Sequence, residues 1–353
     1  MPVLEVNQYA AARPLFENLG AFHLSALSVI EGTAPGELWV DDAAHPRVGL
    51  LEGPEGTYLA GTPAGTPAAD HCFAALKEVI PFFAYLIIDP PAWEPLLPQV
   101  WNNSLVRRHP REHYVWRNGT VPSWRERIPE GYEMVRVDEA FLQRAGLINL
   151  GAVADWIDDG WISREVFFEH GAGFCLVQGD TIASWSLMDC FCGERCEMGI
   201  HTDPAHRRKG LGALVCSATL EAALARGYRE VGWHCLSGNQ GSKGIARKLG
   251  FVKERDYLAF SSGMPAENPT DLTPAEYEDW ALHYERARDS IPWTALSAAQ
   301  AWVQAGQLER ALENLRFLQQ AGWKGRPEWL TESWLLAPVR DLPEFKALLE
   351  ALL

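Results

Sequence analysis

Short runs in which apolar and polar residues alternate are separated by stretches where apolar residues return every three to four positions, the pattern of strands interleaved with helices. A strand is predicted over 131–138 (GYEMVRVD), then helical text through 141–157 (FLQRAGLINLGAVADWI) and a shorter helical stretch over 164–169. GFCLVQGDTIASWSLMDCF follows as two apolar runs hinged at Gly179-Asp180, turn chemistry for an antiparallel hairpin. Past a turn at Gly193, CEMGIHT reads as another strand. From Gly212, Leu214, Val215, Ala218, Leu220 and Leu224 line one side of a helix that Gly227 stops. YREVGWHC is then a strand, NQGSKGIARKLG a helix and FVKERDYLAF a closing strand. Antiparallel strands thus lead into a β-α-β-α-β order.

Residues 1–120 repeat the later part of this order more weakly, with ELWVDD, RVGLLEG, TYLAGTP, FFAYLIIDP and EHYVWRNG as strands and AADHCFAALKEVI and AWEPLLPQVW as helices. A duplicated fold is expected, divided as 1–120, 121–262 and 263–353, with NGTVPSWRERIPEG as the link between the copies. The first copy's glycine turn, GTPAGTPAADH, lacks basic residues, so it is not expected to bind what the second binds. Past Ser262 the text becomes helical, and two amphipathic helices broken at Gly306 resemble a tetratricopeptide unit. One repeat and a fraction cannot bury both faces. The tail is therefore expected to pack on the catalytic half or on a second subunit, a homodimer or protein partner through these helices being the alternative to plain packing.

The fold class expected is α+β: mixed, mostly antiparallel sheets with flanking helices in tandem, plus a small all-helical C-terminal region. The chain has 353 residues, 47% of them hydrophobic, with Lys+Arg 31 against Asp+Glu 46 and a formal net charge of −15. Such a balance argues against a general nucleic-acid binder, which works by neutralising phosphates, and suits a cationic or neutral small molecule. The N-terminus has no basic leader, and the longest apolar run, VIPFFAYLII, is about half a membrane span, so no membrane partner and a cytoplasmic location are expected. Seven scattered cysteines fit reduced, buried thiols. Cys190, Cys192 and Cys196 stand close together, but their spacing is not that of paired zinc ligands and no second pair follows, so no metal is expected.

Against the acidic background, HTDPAHRRKGLG gathers Arg207, Arg208 and Lys209 directly before Gly210, Leu211 and Gly212. A P-loop would need its lysine after the glycines, and a dinucleotide fold would need a third glycine where Val215 stands. What remains is a strand ending at Thr202 and a glycine-lined helix start, where bare amides and nearby positive charge hold an anion. The stretch resembles the cofactor signature of the GNAT superfamily of N-acetyltransferases, Arg/Gln-x-x-Gly-x-Gly/Ala, at Arg207, Gly210 and Gly212. The family's next motif is matched by Asn239, Ser242 and the KLGF ending at Phe251. The likeness is to a bacterial branch in which a degenerate first GNAT-like domain precedes the active one; it covers about 130 residues strongly, the N-terminal half by order alone and the tail not at all.

The resemblance implies acetyl-CoA as cofactor, held by Ile200, His201, Thr202, Arg207, Arg208, Lys209, Gly210, Leu211, Gly212, Asn239 and Ser242, and transfer of its acetyl group to a primary amine of a small cationic molecule. It also implies that the strand before the turn splays from its neighbour, freeing amides near Ile200 to Thr202. Glu197, Gly199 and His201 share one face of that strand, so Glu197 is expected as general base, with His201 as rival. Both stand against a purely structural role for polar residues on a strand face. The family's general acid is a tyrosine where this chain has Ala246; Tyr257, Ser242 and Cys235 are its candidate substitutes, and His234 reads as a packed histidine. Trp156, Asp159 and Trp161, among the acids Asp155, Asp158 and Glu165, are the expected substrate contacts, equally readable as a solvated helix end. The alternative function is a non-catalytic acyl-CoA sensor or partner-binding scaffold.

Overall fold

The alternating runs become strands that join edge to edge. A computed structural model describes the chain apart from residues 63–66, 102–104, 267–268 and 353. Parts of the GTPAGTPAADH turn and of the stretch following Ser262 therefore lie outside the described residues.

The strands are β1 (Glu37–Val40), β2 (Val48–Gly53), β3 (Gly56–Gly61), β4 (Leu86–Asp89), β5 (Arg107–Trp116), β6 (Glu133–Arg136), β7 (Gly173–Gln178), β8 (Thr181–Cys192), β9 (Arg195–Thr202), β10 (Glu230–Leu236) and β11 (Val252–Ser261). They form one sheet in the order β1-β2-β3-β4-β11-β5-β10-β9-β8-β7-β6. β3 runs parallel to β4, and β9 to β10. The closing strands are exchanged: β5 pairs antiparallel with β10, and β11 antiparallel with β4. Each half completes its parallel pair with the other half's last strand. Met1–Asn102 and Arg108–Ser261 accordingly form one compact unit, with no break near residue 120; the second unit is Asn103–Arg107 with Ser262–Leu353.

The helices of the first unit are α1 (Tyr9–Gly20), α2 (Leu24–Ile30), α3 (Pro67–Val79), α4 (Leu97–Val100), α5 (Glu139–Leu142), α6 (Leu150–Gly160), α7 (Arg164–His170), α8 (Leu211–Ala225) and α9 (Gln240–Lys248). The helical text over 141–157 is broken. Ile148 leaves it to bridge to Thr181 and Asn149 turns left-handed at φ 71°, so two helices stand where one was expected. α1 and α2 were not foreseen. Every residue of α2 is buried, Ser25 and Ser28 included, so its seven residues show no exposed charged face from which a helix could be read.

One core lies under α8, with Leu176, Leu187, Val215, Leu220 and Val231 fully buried. A second, around α1 and α2, includes Phe16, Leu27, Leu51 and Tyr58 and takes in Cys190 and Cys192 of β8 and Ala259 of β11. The second core therefore draws on both halves of the chain. All seven cysteines are free, and burial pushes the Cys190 and Cys196 thiols up, away from the thiolate a metal would need.

In the second unit α10 (Pro274–Ala287) starts in a capping box between Thr273 and Glu276. α11 (Thr294–Gln304), α12 (Leu308–Gln320), α13 (Glu328–Thr331) and α14 (Pro343–Leu352) follow, with Gly306 breaking α11 from α12 as expected. Glu285 of α10 ties the first three together, accepting from Trp302 Nε1, Asn314 Nδ2 and Arg310, each at 2.7 Å. Among the described residues no helix is long and apolar enough to cross a membrane.

Candidate active site

β9 and β10 stay paired for only three residues, ending at Gly232 opposite Glu197. Beyond that point the two strands part, and among the described residues the backbone edge facing the gap has no ladder partner. A cleft of about 700 Å³ opens beside it. Ile200, His201, Thr202, Arg207, Arg208, Gly210, Leu211, Gly212, Asn239 and Ser242 all line this cleft. Lys209, expected with them, instead carries its Nζ to the Tyr132 hydroxyl at 3.3 Å.

The cleft's floor is the start of α8. Gly210 precedes it at φ 79°, and no side chain caps the helix, so its first amides remain unspent and favour an anion. A Cβ on Gly212 would come within 3.0 Å of Ile245 and 3.3 Å of Ile200. The lack of a side chain there keeps the helix start open, which is the fit a pyrophosphate and its pantetheine arm need. Arg207 donates from Nε to the Thr202 carbonyl at 3.1 Å, pinning the basic turn to the end of β9. Asn239 caps α9, accepting from the Ser242 amide at 3.0 Å, while Ser242 Oγ accepts from Trp233 Nε1 at 2.9 Å. The Asn and Ser of the second motif therefore hold α9 in place as one wall.

At the fork the cleft meets a second pocket of about 310 Å³, with Ile200, Asn239 and Ser242 lining both. Its charged lining comes from distant parts of the chain: Glu55 from the β2–β3 turn, Arg111 from β5, Asp189 from β8 and Glu197 from β9. The register of β8 against β9 slips between Met188 and Cys190, making Asp189 the extra residue of a β-bulge. A bulge re-aims its side chain. Asp189 accepts from Trp156 Nε1 at 2.7 Å, and Trp156 packs so tightly over Gly199 that a Cβ there would lie 2.4 Å from its ring. Burial raises the Asp189 pKa well above the usual carboxyl range, and the charges of Glu55 and Glu197 add to the rise.

Glu197 goes the other way. Burial alone would raise its pKa, but His234, the Leu24 amide and His113 together hold it below its usual value. Its Oε1 accepts from Leu24 N–H at 2.6 Å and lies 3.3 Å from His234 Nε2; its Oε2 lies 3.6 Å from the Cys190 thiol. Behind it runs a chain: His234 Nδ1 to the Tyr257 hydroxyl at 2.9 Å, Tyr257 to His23 Nε2 at 3.1 Å, and His23 Nδ1 to the Tyr58 hydroxyl at 3.1 Å. With Glu197 ionised, His234 Nε2 must carry a hydrogen, and then every hydroxyl and ring N–H along the chain donates toward Glu197. His23, Glu197 and His234 also fall within metal-ligand reach of one another. The His23 and His234 rings, however, stack 4.3 Å apart at 17°, and their lone pairs run side by side instead of converging on an ion. His113 stacks on the other face of His234 at 4.6 Å, and burial first, then His234, lowers its pKa to about 4.

The remaining expected residues separate. His201 lines the cofactor cleft, its ring stacked on Trp185 at 4.4 Å, with its pKa lowered by burial and by Arg207; it is absent from the lining of the acidic pocket. Of the expected substrate contacts only Trp156 lines that pocket. Trp161 is core, donating to the Met188 carbonyl at 3.0 Å, and Asp159 is exposed on the solvent side of α6. Ala246 is fully buried in α9. Ser242 and Cys235 line the pocket, whereas Tyr257 belongs to the chain behind Glu197. Glu55, Arg111, Asp189, His23 and Leu24 carried no local signal, since turns, a bulge and strand exchange bring them in. His234, expected as a packed histidine, is half-buried: it lines the acidic pocket and contacts Glu197.

A sequence model described as GNAT acetyltransferase matches residues 14–260. An uncharacterized N-acetyltransferase of Bacillus subtilis (strain 168), YdfB, is 23% identical over 67% of this chain and 89% of its own length. A GCN5-related N-acetyltransferase-like protein from Streptococcus suis 89/1591 shares the fold with a TM-score of 0.54, at 20% identity, covering 72% of this chain and 98% of that one. A GCN5-related N-acetyltransferase from Kribbella flavida aligns at 18% identity over 72% of this chain and 98% of its own, with a TM-score of 0.45.

Proposed function

As this chain belongs to the GNAT acetyltransferase family, we propose that it transfers an acetyl group from acetyl-CoA to the primary amine of a small molecule whose cationic end enters the acidic pocket. The observation that carries the proposal is Glu197, the last residue of β9 to pair with β10, lining the acceptor pocket where that pocket meets the cofactor cleft. Acetyl-CoA, when bound, supplies an acetyl thioester and a thiolate leaving group. The amides at the start of α8 and the Arg207–Arg208 turn would hold its pyrophosphate.

An amine arrives as an ammonium and must lose a proton before it can attack. Glu197 Oε1 takes two donors, Leu24 and His234, whereas Oε2 takes only the weak Cys190 thiol and keeps a lone pair for that proton. Two carboxyls in one pocket whose surroundings push their pKa values apart are a natural base and acid. Glu197, held ionised, is the base. Asp189, held protonated, is the group we assign to the role of the missing tyrosine. His234 is a positioning residue that acts through Glu197.

Exchange of β5 and β11 and the repeated element order support a tandem origin, with 1–120 as the degenerate copy and 121–262 as the transferase copy. Its degeneracy is confined to cofactor binding, because it lends Glu55, Leu24 and His23 to the site. Seven free cysteines support a reducing compartment, the cytoplasm. A free-thiol assay with acetyl-CoA and a panel of small amines tests the reading: acetyl-CoA binding with turnover of at least one amine is expected, and binding without turnover of any would favour the sensor.

A further inference from the structure

Arg111 stands out among the groups lining the acceptor pocket, because it is a cation in a lining otherwise dominated by acids. Its side chain is half-buried, and its guanidinium packs 5.4 Å from the Tyr85 ring centroid and 5.9 Å from that of Tyr257. One terminal nitrogen donates to the Tyr85 hydroxyl at 2.8 Å. The Nε is buried with no hydrogen-bond partner. Among the described residues no carboxylate pairs with it, although Glu55, Asp189 and Glu197 line the same pocket. A buried guanidinium N–H left unpaired costs free energy, and a ligand anion would recover it. The planar fork of arginine fits a carboxylate best of the common anions.

From this we infer that the acceptor is an amino acid: a molecule carrying a primary amine for Glu197 and a carboxylate for Arg111. The inference rests on the acetyltransfer reading and narrows its substrate. Charge balance agrees with it. Burial raises the pKa of both Asp189 and Glu55, which leaves Glu197 and Arg111 as the opposed charges, the complement of a zwitterion. Size agrees as well, since about 310 Å³ lies at the small end of ligand pockets and suits a free amino acid better than a peptide. In the reaction the amine nitrogen forms a bond to the acetyl carbon as the carbon–sulfur bond breaks. The ammonium's first proton goes to Glu197 before attack; the second, shed as the amide forms, replaces on Asp189 the proton that Asp189 gives the thiolate, and the carboxylate stays on Arg111 unchanged.

Matched pairs that differ only in the carboxylate make the test: glycine with methylamine, alanine with ethylamine, serine with ethanolamine, ornithine with putrescine. Free-thiol release is measured for the full chain and for Arg111→Met and Arg111→Lys, with acetyl-CoA binding by calorimetry as the check that each variant is folded. The same compounds are also titrated into protein saturated with coenzyme A, which reads acceptor binding without turnover. For the native chain, at least one amino acid should exceed its decarboxylated partner by about 10²-fold or more in kcat/KM, because a site built to bond a polar group rejects the analogue lacking it. Arg111→Met should collapse that ratio to about one, and Arg111→Lys should restore part of it. A ratio near one in the native chain, or one that survives Arg111→Met, overturns the inference while leaving acetyltransfer intact. Amino acids that bind the coenzyme A-loaded chain through Arg111 but are not acetylated would instead sink the transferase reading and keep the carboxylate site. No amino-acid binding by calorimetry and no turnover would overturn the carboxylate site as well.

Discussion

Glu197 of β9 and Leu24 of α2 are 173 positions apart in the chain, yet the Leu24 amide donates to Glu197 Oε1 at 2.6 Å. That bond ties the N-terminal half to the fork in the sheet. Together with His234 it holds a buried carboxylate ionised that burial alone would protonate.

His234 lowers the Glu197 pKa, so removing the imidazole should raise it. Activity that needs ionised Glu197 falls as pH drops through that pKa, and the acid limb of the kcat/KM profile should therefore move to higher pH in His234→Phe, which keeps the ring stack. His234→Gln, retaining a donor, should move it less. An unshifted acid limb in His234→Phe would show that the histidine does not act through Glu197.

Asp189 offers a stability test of opposite sign. Its folded-state pKa is raised, so the folded state binds the proton more tightly than the unfolded one. Ionised Asp189 then weakens the fold, with an effect absent at or below the ordinary carboxyl pKa and complete above the raised one. Asp189→Asn keeps an acceptor for Trp156 and should melt above the native chain, by a margin that widens as pH rises from the ordinary carboxyl pKa toward the raised one. A melting difference that is flat or shrinking with pH would contradict the raised pKa.

Gly212 has no room for a side chain. Gly212→Val would push methyl groups into Ile245 and Ile200 and into the cradle, and should weaken acetyl-CoA binding by about tenfold or more in calorimetry. Undiminished affinity would mean that the acetyl-CoA lies elsewhere.

Arg207 contributes charge at the mouth of the cleft. Arg207→Glu reverses it and should cost more than about 1.4 kcal/mol of acetyl-CoA affinity, a tenfold effect that shrinks as salt is added. Equal affinities would remove the turn from the anion site.

The cofactor side was legible because its parts are contiguous. Arg207, Gly210 and Gly212 sit in one turn, and Asn239 and Ser242 one strand later, close enough in the chain for the family resemblance to point to them. The acceptor side was not. Asp189 enters through a bulge, which breaks the strand alternation that sequence reading relies on. α2 is buried on every side, its Ser25 and Ser28 included, and so hid the amide that reaches Glu197. Arg111 arrives on β5, which crosses into the other half's sheet, an exchange that no local pattern records. Trp161 and Asp159 looked like pocket residues because they flank acids on a helix end, yet tertiary packing turned one into the core and the other to solvent.

The central claim is that Glu197 takes the acceptor's proton. Glu197→Gln keeps an acceptor for the Leu24 amide, so the most direct measurement is its acetylation rate beside its acetyl-CoA affinity. The expected result is a fall in kcat of about 10²-fold or more with affinity changed by less than about twofold, and a much smaller loss in His201→Gln. A Glu197→Gln enzyme that keeps its rate while His201→Gln loses it would contradict the account and move the base to His201.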